Sequence, residues 1–160
     1  LAIDHDSAAT YYNRGNSKYY LKDYQGAIVD HGFAILMYPE YGVAYNDRGL
    51  AKYKLKDYQG SIADHAKAIE INPRNARFYK NRARANRALK DYQGAVNDFN
   101  MALTIKPQDS SAYNDRGNAK FDLNDRKGAC VDYKKAVNLG NQLTAKWFNT
   151  EGAAWCRTMR

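Results

Sequence analysis

The segment Lys22-Asp23-Tyr24-Gln25-Gly26 recurs as Lys56 to Gly60 and as Lys90 to Gly94, each copy 34 residues after the last. A fourth copy, Asn124-Asp125-Arg126-Lys127-Gly128, keeps the register with altered residues. A constant period of this length describes one supersecondary unit stacked on copies of itself. Such a chain buries a continuous strip between neighbouring units in place of a central globule. Units at 8–41, 42–75, 76–109 and 110–143 take in all four copies without a gap. They leave residues 1–7 as an N-terminal stub and 144–160 as a tail.

Each unit reads as a pair of helices. The first halves, such as Tyr45 to Leu55, carry Tyr and Ala or Gly at i, i+4 spacing, the mark of a helix with one buried face. The second halves open on Asp23, Asp57, Asp91 and Asp125, residues suited to cap a helix N-terminus. Asn72-Pro73 and Lys106-Pro107 end the second helices, because the residue before proline avoids helical geometry. No segment has the alternation of a strand.

The pattern resembles the tetratricopeptide repeat over residues 8–143. The family's aromatic at repeat position 4 is supplied by Tyr11, Tyr45, Tyr79 and Tyr113, and its small residue at position 8 by Gly15, Gly49, Ala83 and Gly117. Small residues also stand at position 20 (Ala27, Ser61, Ala95, Ala129) and at position 27 (Ala34, Ala68, Ala102, Ala136). Pro39, Pro73 and Pro107 occupy position 32, with Asn141 in the last copy. Position 11 departs from the family: Lys18, Lys52, Asn86 and Lys120 replace an aromatic, which falls one step later at Tyr19, Tyr53 and Phe121. The resemblance implies an all-α fold, a right-handed α-solenoid of four 34-residue helix-turn-helix repeats. The tail is expected to form a C-terminal capping helix, with Trp147, Phe148, Trp155 and Met159 against the last repeat and Lys146, Thr150, Arg157 and Arg160 outward. The alternative is that Trp155 and Cys156 belong to a binding site.

Position 7 is arginine in every copy (Arg14, Arg48, Arg82, Arg116) and position 23 is aspartate (Asp30, Asp64, Asp98, Asp132). A cation on each first helix and an anion on each second predict a structural ion-pair ladder, each exposed pair worth less than about 1 kcal/mol. His31 and His65 share position 24, usually a buried aromatic in the family, and are expected in the core. Neither has a second ligand at metal-binding spacing, and no metal or cofactor is expected. The carboxylates are repeated fourfold and no nucleophile–base pair stands out, which argues against an enzyme.

Two cysteines, Cys130 and Cys156, are too few for a disulfide framework, and Cys130 is expected as a small buried residue. No apolar run is long enough to span a membrane. The cytoplasm is the expected compartment, although the start at Leu1 without methionine suggests a fragment or a processed form with a targeting segment removed.

Binding remains as the function. In the family the first helices line a concave groove, and positions 2, 5, 9 and 12 face the ligand. In this chain those positions are Ala9, Tyr12, Asn16 and Tyr19; Val43, Asn46, Leu50 and Tyr53; and, in the fourth copy, Ser111, Asn114, Asn118 and Phe121. In the third they become Arg77, Lys80, Arg84 and Arg87, in a repeat that holds +4 of the net charge of +8. Four like charges on one stripe repel, so a bound anion is expected to compensate them. The family's two-carboxylate clamp for acidic C-terminal peptides is not expected: starting from the first repeat only two of its five positions fit, and Asp47 has the wrong sign. The sequence therefore predicts a protein–protein interaction scaffold holding an acidic, extended or helical partner segment. Arg77, Lys80, Arg84 and Arg87 would engage its acidic groups, Asn16, Asn46, Asn114 and Asn118 its backbone, and Tyr12, Tyr19 and Tyr53 its apolar area. Single-stranded nucleic acid is the alternative ligand, since cations beside aromatics suit a stacking groove. A structural spacer or self-associating unit is the third reading.

Overall fold

The structure, a computed structural model, describes residues 5–150 and 153–158. Among these it holds ten helices and no strand. The pairs are α1 (His5–Tyr20) with α2 (Tyr24–Met37), α3 (Gly42–Lys54) with α4 (Tyr58–Ile71), α5 (Ala76–Ala88) with α6 (Tyr92–Ile105), and α7 (Ser110–Asp122) with α8 (Arg126–Asn138). Helices pack within each pair and then onto the next pair, and the first helices of successive repeats also touch. The architecture is the expected α-solenoid.

The recurring five-residue segment is a turn and a helix start. Asp23, Asp57, Asp91 and Asp125 each accept a hydrogen bond from the backbone N–H of the glycine three residues on, at 2.8–2.9 Å. A Cβ on those glycines would collide with the capping carboxylate, which is why glycine returns in every copy. The preceding Lys22, Lys56 and Lys90 sit at φ 65° and Asn124 at φ 64°, so each turn passes through left-handed backbone. Asparagine tolerates that region better than lysine does.

Small residues bring the helices of a pair together. The ring at position 24 of each second helix lies on the position-8 residue of its first helix. Thus a Cβ on Gly49 would come within 2.9 Å of the His65 ring, and one on Gly117 within 2.7 Å of Tyr133. His31 and His65 are fully buried, as expected, and their ring nitrogens have no hydrogen-bond partner within the described residues. Burial lowers both imidazoles, His65 to about 4.

The ion-pair ladder forms in all four repeats. Arg14, Arg48, Arg82 and Arg116 each grip Asp30, Asp64, Asp98 and Asp132 through Nε and Nη2 at 2.5–2.9 Å. Each guanidinium also lies over the position-4 tyrosine. The pairs are less exposed than expected, because all four carboxylates are buried. The departure at position 11 now has a physical reason: Lys18, Lys52 and Lys120 reach the same aspartates at 2.8–2.9 Å, and Asn86 donates to Asp98. The bidentate Arg14, joined by Lys18, holds the Asp30 carboxyl at about 2 against the opposing effect of burial.

At the ends the expected boundaries shift. Residues 5–7 of the stub already belong to α1. The tail forms two short helices in place of one, α9 (Gln142–Phe148) and α10 (Ala154–Arg157). Trp147 packs on Tyr133 with ring centroids 4.8 Å apart, and Trp155 on Phe121 at 5.7 Å. Arg157 turns back to the carbonyls of Phe148 and Thr150. The placements expected for Met159 and Arg160, and residues 1–4 of the stub, lie outside the described residues. Cys130 is buried, but it is bonded to Cys156, with Cα atoms 5.3 Å apart, so α10 is tied covalently to α8.

Candidate functional site

The first helices α1, α3, α5 and α7 form one face, and three hollows lie along it. The first, of about 200 Å3, is bounded by Tyr12, Asn16, Tyr19, Asp47, Leu50 and Arg77. The second, of about 490 Å3, lies among Tyr53, Arg84, Arg87, Lys90, Tyr92, Asp115 and Asp122. The third, of about 370 Å3, is enclosed by α7, α8 and the tail, with Asn114, Asn118, Phe121 and both tryptophans in its wall. The one-step shift of the aromatics thus places Tyr19, Tyr53 and Phe121 in the groove, each in a different hollow.

The basic stripe is on this face, but the expectation of four uncompensated cations is corrected. Arg77 lies 3.7 Å from Asp47, Lys80 2.7 Å from Asp109, Arg84 2.7 Å from Asp115 and Arg87 2.6 Å from Asp122. Four aspartates, on α3, on α7 and at the α7 N-cap, bring the stripe to formal neutrality without a bound anion. Lys80 is spent inside the protein, 16% exposed and donating to both Asp109 and Ser111. Burial pushes the Asp109 carboxyl up, yet the bonds from Lys80, Ser111 and the Ala112 N–H outweigh it and hold the group at about 2. The arginines remain more open, with Arg77 54%, Arg84 46% and Arg87 41% exposed.

Two of the asparagines are not available to a ligand as expected. Asn46 is fully buried, donating to Asp47 and accepting from Asn81. Asn114 uses both ends of its amide, on Asp115 and on the Thr144 hydroxyl. Asn118 accepts from the Tyr133 hydroxyl at 2.9 Å, and its amide nitrogen has no acceptor among the described residues. Tyr12 is held by a 2.7 Å hydrogen bond to Asp47 and packed on His31 and Tyr41; burial, then Asp47, push its hydroxyl up to about 12.

The pairing of the stripe with Asp47, Asp115 and Asp122 of the adjoining repeats, and with Asp109 at the end of its own, was missed by reading each first helix alone. The signal was present between repeats. Position 6 changes from Asn13 and Asn81 to Asp47 and Asp115, on either side of the copy whose stripe turns basic. Among the described residues, no cluster of three or more His, Cys, Asp or Glu could hold a metal ion, and no helix is long and apolar enough to cross a membrane.

A helical-repeat solenoid with a hollowed first-helix face is the architecture of an interaction scaffold. The family model for the tetratricopeptide repeat matches residues 43–75 and 76–109, so the second and third units are tetratricopeptide repeats. The chain is similar in structure to the Arabidopsis OM64 TPR domain, at 26% identity and a TM-score of 0.71 over 73% of this chain and 97% of that one. It is also similar to the first TPR of Spaghetti (RPAP3) bound to the HSP90 peptide SRMEEVD, at 23% identity and a TM-score of 0.75 over 77% of this chain and 98% of that one. A third similar structure is MamA from Desulfovibrio magneticus RS-1, at 19% identity and a TM-score of 0.79, covering 84% and 76% of the two chains. No curated protein matches it significantly in sequence.

Proposed function

We propose that this chain holds an extended or helical segment of a partner protein along the face of α1, α3, α5 and α7. Acidic side chains of that segment dock on the exposed guanidinium edges of Arg77, Arg84 and Arg87. The observation that carries the reading is the row of hollows on one face, with half-open arginines in the walls of the first two. Lys80, Asn46 and Asn114 are reassigned to the scaffold, because their polar groups are already satisfied inside it. A protein of the same fold binds the peptide SRMEEVD, which carries three acidic residues, and that supports the class of ligand.

The nucleic-acid alternative loses ground on charge. A groove that tracks a phosphate backbone needs surplus cations along it, and this stripe is internally neutral.

The test is selection of random-sequence peptides on the folded protein, followed by anisotropy titration of the winners against wild type and an R84E/R87E variant. The reading expects winners rich in Asp or Glu that weaken at least about tenfold on the variant, as reversed charge at a close contact requires. An empty selection, or winners that bind both proteins equally, overturns it. A labelled oligothymidylate titrated in parallel would favour nucleic acid if it binds with a log–log salt slope of roughly −0.7 per phosphate contacted.

We also propose an oxidising compartment in place of the cytoplasm, since reducing thiol pools keep most cysteine pairs such as Cys130 and Cys156 open. Alkylation of free thiols before cell lysis tests it: both cysteines labelled would refute the placement.

A further inference from the structure

The third hollow differs in chemistry from the rest of the groove. Its walls are the rings of Phe121, Tyr133, Trp147 and Trp155, with Leu143 at the rim. Both tryptophans of the chain are there. Leu143 is 81% exposed and Phe121 42%, so the described part of the tail gathers large apolar groups around a space that it does not fill. A tail serving only as a cap would close over them. At about 370 Å3 the space accommodates a large side chain, within the size range of small-ligand pockets.

The wall is built and held. Helix α10 has four residues, too few to persist alone. The Cys130–Cys156 bond fastens it to α8 beside Trp155, and Trp155 in turn lies against Phe121. A cavity fixed before its ligand arrives costs less ordering on binding.

Two polar features point to what belongs inside. The Asn118 amide nitrogen, without an acceptor among the described residues, stands in the wall and suits a backbone carbonyl. The second is the Arg87–Asp122 pair, 2.6 Å apart in the wall of the neighbouring second hollow, with Asp122 following Phe121 of this wall directly in α7. The third hollow and the arginine-bearing second one thus adjoin at the C-terminal end of α7.

We propose that this hollow seats one apolar side chain, aliphatic or aromatic, of the partner segment, with Asn118 donating to the segment's backbone and Arg87 receiving an adjacent carboxylate. The proposal rests on the groove reading and adds the hydrophobic anchor that the arginine stripe lacks. It makes the preferred ligand an acidic residue next to a large apolar one.

The two indole N–H signals in 1H–15N spectra of the full chain report on this wall and nothing else. The probes are N-acetyl-leucinamide, N-acetyl-phenylalaninamide and, as control, N-acetyl-glycinamide. The first two should shift both indole signals and the Asn118 side-chain amide with saturation, and the glycine compound should not. L143E, at an exposed rim position with folding checked on the backbone signals, should weaken the apolar probes roughly tenfold by placing a charge at the mouth. N-acetyl-Asp-Leu-amide should bind several-fold tighter than the leucine compound, an advantage lost in R87Q. Indoles that do not move, that respond equally to the glycine compound, or that ignore L143E overturn the proposal. The peptide selection separates the two readings. Selected peptides that bind without moving either indole overturn the hollow and leave the groove standing. Probes that saturate the hollow while no peptide is selected overturn the groove reading, and with it the claim that a partner segment fills this space.

Discussion

Replacing His65 with phenylalanine should remove a defined part of the protein's acid sensitivity. His65 is fully buried against Gly49, and neither ring nitrogen is bonded within the described residues. Burial brings its imidazole from 6.5 to about 4. An unfolded chain therefore takes up this proton near 6.5, while the folded chain resists it until about 4. Stability is complete above about 6.5 and falls as pH drops towards about 4. Integrating over that window to about pH 4.5 gives a loss of roughly 2.5 kcal/mol from this one group. Phenylalanine fits the register, since Phe99 holds the same position against Ala83 in the third repeat, where there is less room. The assay is urea unfolding followed by circular dichroism from about pH 7.5 to about pH 4.5, where the acid limb of wild type should be steeper than that of H65F by about that amount. At neutral pH the variant should gain about 1–2 kcal/mol, because two buried unbonded nitrogens are gone. His31 is lowered by burial in the same sense, so H31F/H65F should flatten the limb further. If wild type and H65F lose stability in parallel as acid is added, burial of this imidazole does not govern the limb and the reasoning fails.

Three other perturbations have determined signs. R48A strips a buried carboxylate, Asp64, of its bidentate partner and should cost about 3 kcal/mol, whereas R84A, at a half-exposed pair, should cost under about 1 kcal/mol; denaturant midpoints of the two compare them. K56G relieves a lysine held at φ 65° and should raise stability by about 1 kcal/mol; a lower melting temperature would contradict the strain. Removing the 26-residue closure by C130A/C156A should cost about 3–4 kcal/mol on the chain-entropy account, with faster hydrogen exchange confined to α9 and α10 and the first three repeats unchanged.

The repeat register made most of the scaffold legible. Asp57 capping Gly60 and Arg48 on Asp64 follow from positions that hold one residue in every copy, and His65 over Gly49 from positions that hold a ring and a small residue. Because each unit repeats the same packing problem, one correct solution serves four times. The groove was harder to read, because its residues differ between copies and pair across them. Arg84 meets Asp115 and Arg87 meets Asp122, each pair joining the third repeat to the fourth. The disulfide was obscure for a similar reason: Cys130 occupies an ordinary apolar position of the fourth repeat, and its partner stands in a tail with no repeat register.

Internal pairing of the stripe limits what charge can contribute to binding. A ligand carboxylate arriving at Arg84 must share the guanidinium with Asp115 or displace it, exchanging one half-exposed pair for another. Such exchanges are worth about 1 kcal/mol or less each. Three of them fall well short of the roughly 8 kcal/mol of a micromolar complex. Seating a leucine or phenylalanine in the third hollow would contribute about 1.5–3 kcal/mol more, and the rest must come from backbone hydrogen bonds and contact area along the face. The net charge of +8 survives outside the stripe, where it would draw the proposed acidic segment from a distance. In the binding mode proposed above, surplus charge would speed the encounter, the paired arginines would fix register and direction, and the apolar anchor would set the residence time.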